Sequence, residues 1–198
     1  MDDQTSEGGN IITEPLNNRD LIIAKTHDLL IEHGIKATSI KLVAQAAGVA
    51  PGLIHYYFKS KEELILAVLE EAKRQCLQDW DEILRRAKDI QQTEHVLKLG
   101  KERLFADLDM YRLRFELYSN GLNNSTVKSH VNALLQEEQR KIAELSTLLA
   151  RKEGVNHEAI AATLTAAFDG LALRKLTDES FDLNAAYETL SEMYLSFT

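Results

Sequence analysis

The chain has one cysteine, one tryptophan and two prolines among its 198 residues. A single thiol, Cys76, excludes an internal disulfide and any zinc site built from several cysteines of one chain. The prolines are Pro15 and Pro51, so nothing beyond residue 51 interrupts a long helix. No apolar run approaches the length of a membrane span. The opening MDDQTSEGGN is acidic and polar, unlike a secretory signal, and the cytoplasm is the expected compartment. Catalytic signatures are missing as well. None of the histidines (27, 33, 55, 95, 130, 157) has a glutamate three residues before it, as a carboxylate-bridged di-iron bundle requires. There is no phosphate-binding glycine loop and no G-x-S-x-G elbow. The expectation is no enzyme, no catalytic residue, no metal and no cofactor.

One stretch lacks acid altogether. Residues 38 to 61, TSIKLVAQAAGVAPGLIHYYFKSK, contain no Asp or Glu although the chain carries a net charge of −8. From residue 19 to 61 there are six Lys and Arg against three Asp and Glu, a net +3, which leaves −11 elsewhere. A cationic module on an acidic body can still meet phosphates, because the local field governs at contact distance.

From Asn18 onward the periodicity reads as helix. Ile22, Ile23, Thr26, Leu29, Leu30 and His33 share one face, with Asn17 or Asn18 as cap and Gly34 after the last turn. A second helix starts at Thr38-Ser39 and buries Ile40, Val43, Ala44 and Ala47 before Gly48 breaks it. A third opens at Pro51, where a missing N–H costs nothing. Helix, tight turn and short helix make a helix-turn-helix. Ile54 and Phe58 point inward, leaving Gly52, His55 and Tyr56, with Leu53 and Tyr57 beside them, for a major groove. Ser60 and Glu63 form a capping box that starts a fourth helix.

Residues 34 to 64, GIKATSIKLVAQAAGVAPGLIHYYFKSKEEL, resemble the DNA-binding domain of the TetR family of transcriptional regulators. The shared pattern runs through Gly34, Thr38, Ser39, Ala47-Gly48-Val49, Gly52, Tyr57-Phe58, Lys59 and Lys61-Glu62. His55 and Ala50-Pro51 depart from it. The resemblance implies that Thr38 and Ser39 contact phosphate, that Ala50, Pro51, Gly52, Leu53 and His55 face the groove, and that Tyr56, Tyr57, Lys59 and Lys61 hold the backbone. Arginine is absent from 38 to 61, so the bidentate arginine-to-guanine contact is missing.

Downstream, Leu64, Val68, Ala72, Cys76 and Trp80 recur every fourth position. Residues 86 to 93 read as a polar connection with Thr93 as a cap. Helical patterns then cover 96 to 106, 108 to 118, 125 to about 152, a stretch opened by Asn156, and a last one from Asp182 or Asn184. In the third of these the run QEEQRK reads as a solvated face. The aromatic group of Tyr111, Phe115 and Tyr118, with Trp80 and Phe168, is the expected lining for an apolar effector.

The expected fold is all-α. A mobile tail (1–17) precedes a helix-turn-helix domain (18–78) and a helical effector-binding and dimerisation domain (79–198). By the resemblance, the last two helices join two copies, which meet a near-palindromic double-stranded DNA operator. The expected function is a repressor released by a small-molecule effector. The alternative is a helical DNA-binding adaptor controlled by a protein partner, without a small-molecule pocket.

Overall fold

The structure is a computed structural model that describes residues 17–90, 93–106, 108–150 and 152–197, and the side chains of these except 89, 90 and 93–95. The expected mobile tail lies outside the described residues apart from Asn17, and the Thr93 side chain, the expected cap, lies outside the described side chains. Among the described residues there are nine helices and no strand. The chain is all-α, as its periodicity implies.

Helix α1 (Asn18–Ala37) starts where the side chain of Asn17 accepts the N–H of Asp20 at 3.0 Å. It bends at Gly34, whose φ of 76° and ψ of 169° lie in a region that a side chain disfavours. Helix α2 (Ile40–Ala47) is capped by Ser39, whose Oγ accepts the N–H of Leu42. Such a cap contributes about 1 kcal/mol. Gly48 closes α2 in the left-handed conformation, and Pro51 opens α3 (Pro51–Tyr57). Ile22, Leu30, Val43, Ile54 and Phe58 are essentially solvent-free and bind these three helices together.

Ser60 and Glu63 begin α4 (Lys61–Ile90) much as expected: Ser60 Oγ accepts the Glu63 N–H, while the Glu63 carboxylate accepts the N–H of Lys59. Helix α4 does not stop at the polar residues near 86. It continues because Ile83, Leu84 and Ala87 extend its buried stripe. The domain boundary expected at 78 therefore falls inside one helix that carries the chain from the first module into the second.

The body consists of α5 (Thr93–Ala106), α6 (Leu108–Gly121), α7 (Ser125–Leu149), α8 (His157–Thr177) and α9 (Leu183–Phe197). Asn124, rather than Ser125, caps α7, since its side chain accepts two N–H groups. Asn156 caps α8 and Asp182 accepts the N–H of Ala185 at the start of α9. Helix α6 leans on α1, and α4 packs against α7. One apolar core runs from α1 through to α8, and a smaller cluster under α9 is built on Leu104, Tyr111, Ala172, Leu183 and Tyr187. No described helix is long and apolar enough to cross a membrane.

Candidate nucleic-acid interface and effector cavity

Around α2 and α3 the polar residues turn outward. Lys36, Ser39, Lys41, Gln45, Ala50, Pro51, Gly52, His55, Tyr56 and Lys59 are exposed, and Tyr56 keeps 79% of its surface. An exposed tyrosine of that degree, beside a buried Ile54 and Phe58, has no packing reason to be there. Tyr57 and Leu53 are half-buried, with the Tyr57 ring edge-on to Tyr56 at 5.1 Å. The face is thus a short helix with a bare N-terminus, an imidazole, two phenols and lysines, a set suited to phosphates and base edges.

Two of the expected phosphate contacts are turned away from this face. Thr38 is buried, and its hydroxyl lies 2.9 Å from the carbonyl of Gly34 and 3.2 Å from that of Leu29. Its backbone N–H also bonds to Gly34. Thr38 ends α1 rather than presenting groups to a partner. Lys61 donates its ammonium to the carbonyl of Ile35, which leaves it half-buried against the same helix end. Arg19 was outside the expected set, and its guanidinium stands over the Phe58 ring at 5.5 Å. Lys41 and Gln45, on the outer side of α2, were also passed over. Their signal was the helical spacing of polar residues opposite Val43, Ala44 and Ala47.

The body reverses this arrangement. Glu138 belongs to the QEEQRK run, yet it is only 2% exposed. It accepts both terminal nitrogens of Arg114, at 2.9 Å for Oε1 and shorter for Oε2. It also accepts the Cys76 thiol at 2.7 Å. Of the run's other charges, Glu137 pairs with Arg140, and Lys141 with Asp81. Arg114 Nε points to the Tyr118 hydroxyl, which itself donates to Asp169 at 3.2 Å. Asp169 Oδ1 lies 3.0 Å from the same Nε but forms no hydrogen bond, because the single N–H is directed elsewhere. Burial raises the Asp169 carboxyl, against the pull of Arg114. Glu138 is lowered, since the attraction and hydrogen bonds of Arg114 outweigh its burial. Burial and the Glu138 charge push the Cys76 thiol up to about 12, and burial pushes the Tyr111 phenol up to about 12.

Beside this network lies a cavity of about 280 Å³, between α4, α5, α6 and α7. Its walls include Leu69, Cys76, Arg103, Tyr111, Arg114 and Leu134. Of the five expected effector residues only Tyr111 lines it. Trp80 and Phe168 line a separate apolar slot of about 40 Å³. Phe115 packs into the cluster under α9, and Tyr118 serves the ion-pair network. The charged wall was missed, although a trace of it exists. Arg114 falls between Tyr111 and Tyr118 at inward spacing, and Glu138 fills the gap between Leu134 and Ile142. A charge on an apolar stripe marks a buried pair.

Residues 22–68 match the family model described as bacterial regulatory proteins, tetR family. The HTH-type transcriptional regulator BetI of Cronobacter sakazakii is 29% identical over 189 residues, 92% of this chain and 90% of that protein. The N-terminal module, residues 22–68, is of the tetR-family type. The HTH-type transcriptional repressor KstR2 of Mycolicibacterium smegmatis is 30% identical over 59 residues, 30% of this chain and 29% of that one. Solved structures share the fold over about nine-tenths of the chain. FadR of Bacillus subtilis, in complex with stearoyl-CoA, superposes with a TM-score of 0.73 at 21% identity, covering 90% of this chain and 98% of that one. A transcriptional regulator of Saccharomonospora viridis, in complex with choline, gives 0.72 at 20% identity over 88% and 93%.

Proposed function

We propose that the chain is a transcriptional repressor that binds a near-palindromic operator as a homodimer and leaves it when a small molecule occupies the body. The observation that carries this reading is the double attachment of α6. One side of α6 supplies Tyr111 and Arg114 to the cavity. The other side supplies Glu116, whose carboxylate accepts the N–H of Ile35 at 3.2 Å, at the bend of α1. A Cβ at Gly34 would stand 3.2 Å from that carboxylate, so the approach depends on glycine twice over. Ile35 in turn receives Lys61, and Thr38 closes the same turn just before Ser39 caps α2. A ligand that shifts α6 thereby displaces the end of α1 on which the groove-facing pair is mounted. Operator affinity falls by the ligand's differential affinity for the two states. Relatives of this fold in complex with stearoyl-CoA and with choline support small-molecule control.

In this reading Ser39 and its free N-terminal turn hold a phosphate. Ala50, Pro51, Gly52, Leu53 and His55 meet bases or the groove wall, and Tyr56, Tyr57 and Lys59 hold the backbone. Thr38 and Lys61 act from beneath, by holding α1 to α2 and α4. Dimerisation uses α8 and α9. On α8 the expected apolar face, Ile160, Leu164, Phe168 and Leu171, is partly buried, with Leu164 and Phe168 packed on the chain's own core. The opposite face is a stripe of exposed Ala159, Ala162, Ala166, Gly170 and Leu173, small enough for a second helix to approach closely. Exposed Met193 and Phe197 continue it on α9, whose buried side is Leu183, Tyr187 and Tyr194.

The chain acts in the cytoplasm and catalyses nothing in this reading, the buried Arg114 and Glu138 being paired with each other. The cavity favours it over a protein-controlled adaptor, which needs none. Selection of bound DNA from a random pool tests it. The expected product is a twofold-symmetric site with half-sites about one helical turn apart. A single asymmetric half-site, or no enrichment, sinks the dimeric repressor.

A further inference from the structure

Arg103 is a largely buried cation with too few acceptors. It enters the 280 Å³ cavity from α5, with its side chain 18% exposed. Among the described residues its one hydrogen bond runs from Nη2 to the Cys76 sulfur at 2.9 Å, and sulfur is a weak acceptor. Its Nε is buried and unpartnered. The nearest carboxylates are out of hydrogen-bond reach, Glu138 at 3.7 Å and Asp79 at 3.9 Å. Glu138 cannot turn to it, because Arg114 already takes both its oxygens. A guanidinium presents a planar fork of donors matched to a carboxylate, and burial strengthens that pairing.

The rest of the cavity has two further properties. Its inner wall, Leu69, Leu113, Leu117 and Leu134, is aliphatic, while Gln75, Gln78 and Asp79 are exposed at its rim. The aromatic faces nearby are already occupied by cations. Arg103 sits 4.9 Å over the Trp80 ring, and Arg114 lies 5.7 Å from the Tyr111 ring centroid and 5.5 Å from that of Tyr118. A quaternary ammonium would need those same faces and would meet two guanidinium groups. The volume holds about ten non-hydrogen atoms at the packing density of an organic solid.

We infer that the cavity takes a small amphipathic carboxylate, its head on Arg103 and its apolar segment along Leu69, Leu113, Leu117 and Leu134. This rests on reading the cavity as the effector site. It excludes cationic effectors, and any large acid must leave most of its bulk outside.

Three probes with one chain length and different heads test it: octanoate, octan-1-ol and octyltrimethylammonium. Binding to the full-length protein is read without DNA, by calorimetry and by the emission of Trp80, the single tryptophan, which Arg103 covers. Octanoate is expected to bind at least tenfold more tightly than octanol, and the ammonium not at all. Arg103→Gln should erase the preference of octanoate over octanol, and Arg103→Lys should keep part of it. Equal binding of acid and alcohol, tighter binding of the ammonium, or no binding of octanoate at millimolar concentration overturns the inference. If Arg103→Gln does not fold, the three probes on the native protein still decide. Operator affinity is measured separately. Octanoate that binds without weakening operator binding refutes the release mechanism and leaves the inference standing. Release by the ammonium does the reverse.

Discussion

The two halves of the molecule use tyrosine and positive charge in opposite ways. Around α3 the phenol of Tyr56 and the ammonium of Lys59 face solvent over an interior with no buried charge, built on Ile22, Leu30, Val43, Ile54 and Phe58. Around α6 the phenols of Tyr111 and Tyr118 and the guanidinium groups of Arg103 and Arg114 face inward, with carboxylates buried beside them. An outward cation costs little to keep and is available to a polyanion. An inward cation must be matched by buried acceptors, or the desolvation cost is not repaid. The contrast separates a surface built to meet something large from an interior built around something small.

The largest effect should come from unbalancing the interior. Glu138→Ala leaves Arg114 without its carboxylate and should destabilise the fold by about 3–5 kcal/mol, seen as a lower urea midpoint. Replacing both partners with leucine should recover most of that loss. If the single variant is neutral, Glu138 is not buried as described. Next, the same substitution made at two tyrosines should have different consequences. Tyr111→Ala should cost about 3 kcal/mol through the cavity it leaves. Tyr56→Ala should stay within about 0.5 kcal/mol of the parent while weakening DNA binding several-fold. Equal stability losses would abolish the distinction between the two halves. The smallest effects divide two neighbouring lysines. Lys61→Ala should cost about 1 kcal/mol by freeing the Ile35 carbonyl. Lys59→Ala should leave stability unchanged and lower the salt dependence of operator binding by about one counterion. The opposite assignment would return Lys61 to the DNA surface.

Much of the first half was legible because each helix there declares itself locally. Asn17 and Ser39 cap, Gly34 and Gly48 turn, Pro51 starts, and Ile54 and Phe58 fall four apart on one face. Thr38 and Lys61 were misplaced because a hydroxyl or an ammonium near a helix end looks the same in sequence whether it faces a phosphate or a carbonyl. The cavity was less legible. Aromatic residues were expected to line it, but Phe115 and Tyr118 were drawn into packing and ion pairing. The wall comes instead from Leu69 on α4, Arg103 on α5, Leu113 on α6 and Leu134 on α7. Only the fold brings residues so far apart together.

The sequence by itself determined an all-helical chain, a helix-turn-helix with its outward face, and the tetR-family match of that first module. All three rest on short-range spacing, capping and a contiguous motif. Tertiary structure alone decided that Glu138 is buried with Arg114, that Arg103 has no carboxylate within hydrogen-bond reach, and that α6 touches both the cavity and the bend at Gly34. The physical reason is that a charge's meaning depends on what surrounds it after folding. Hydration or desolvation, and the partner within reach, are set by residues tens of positions away.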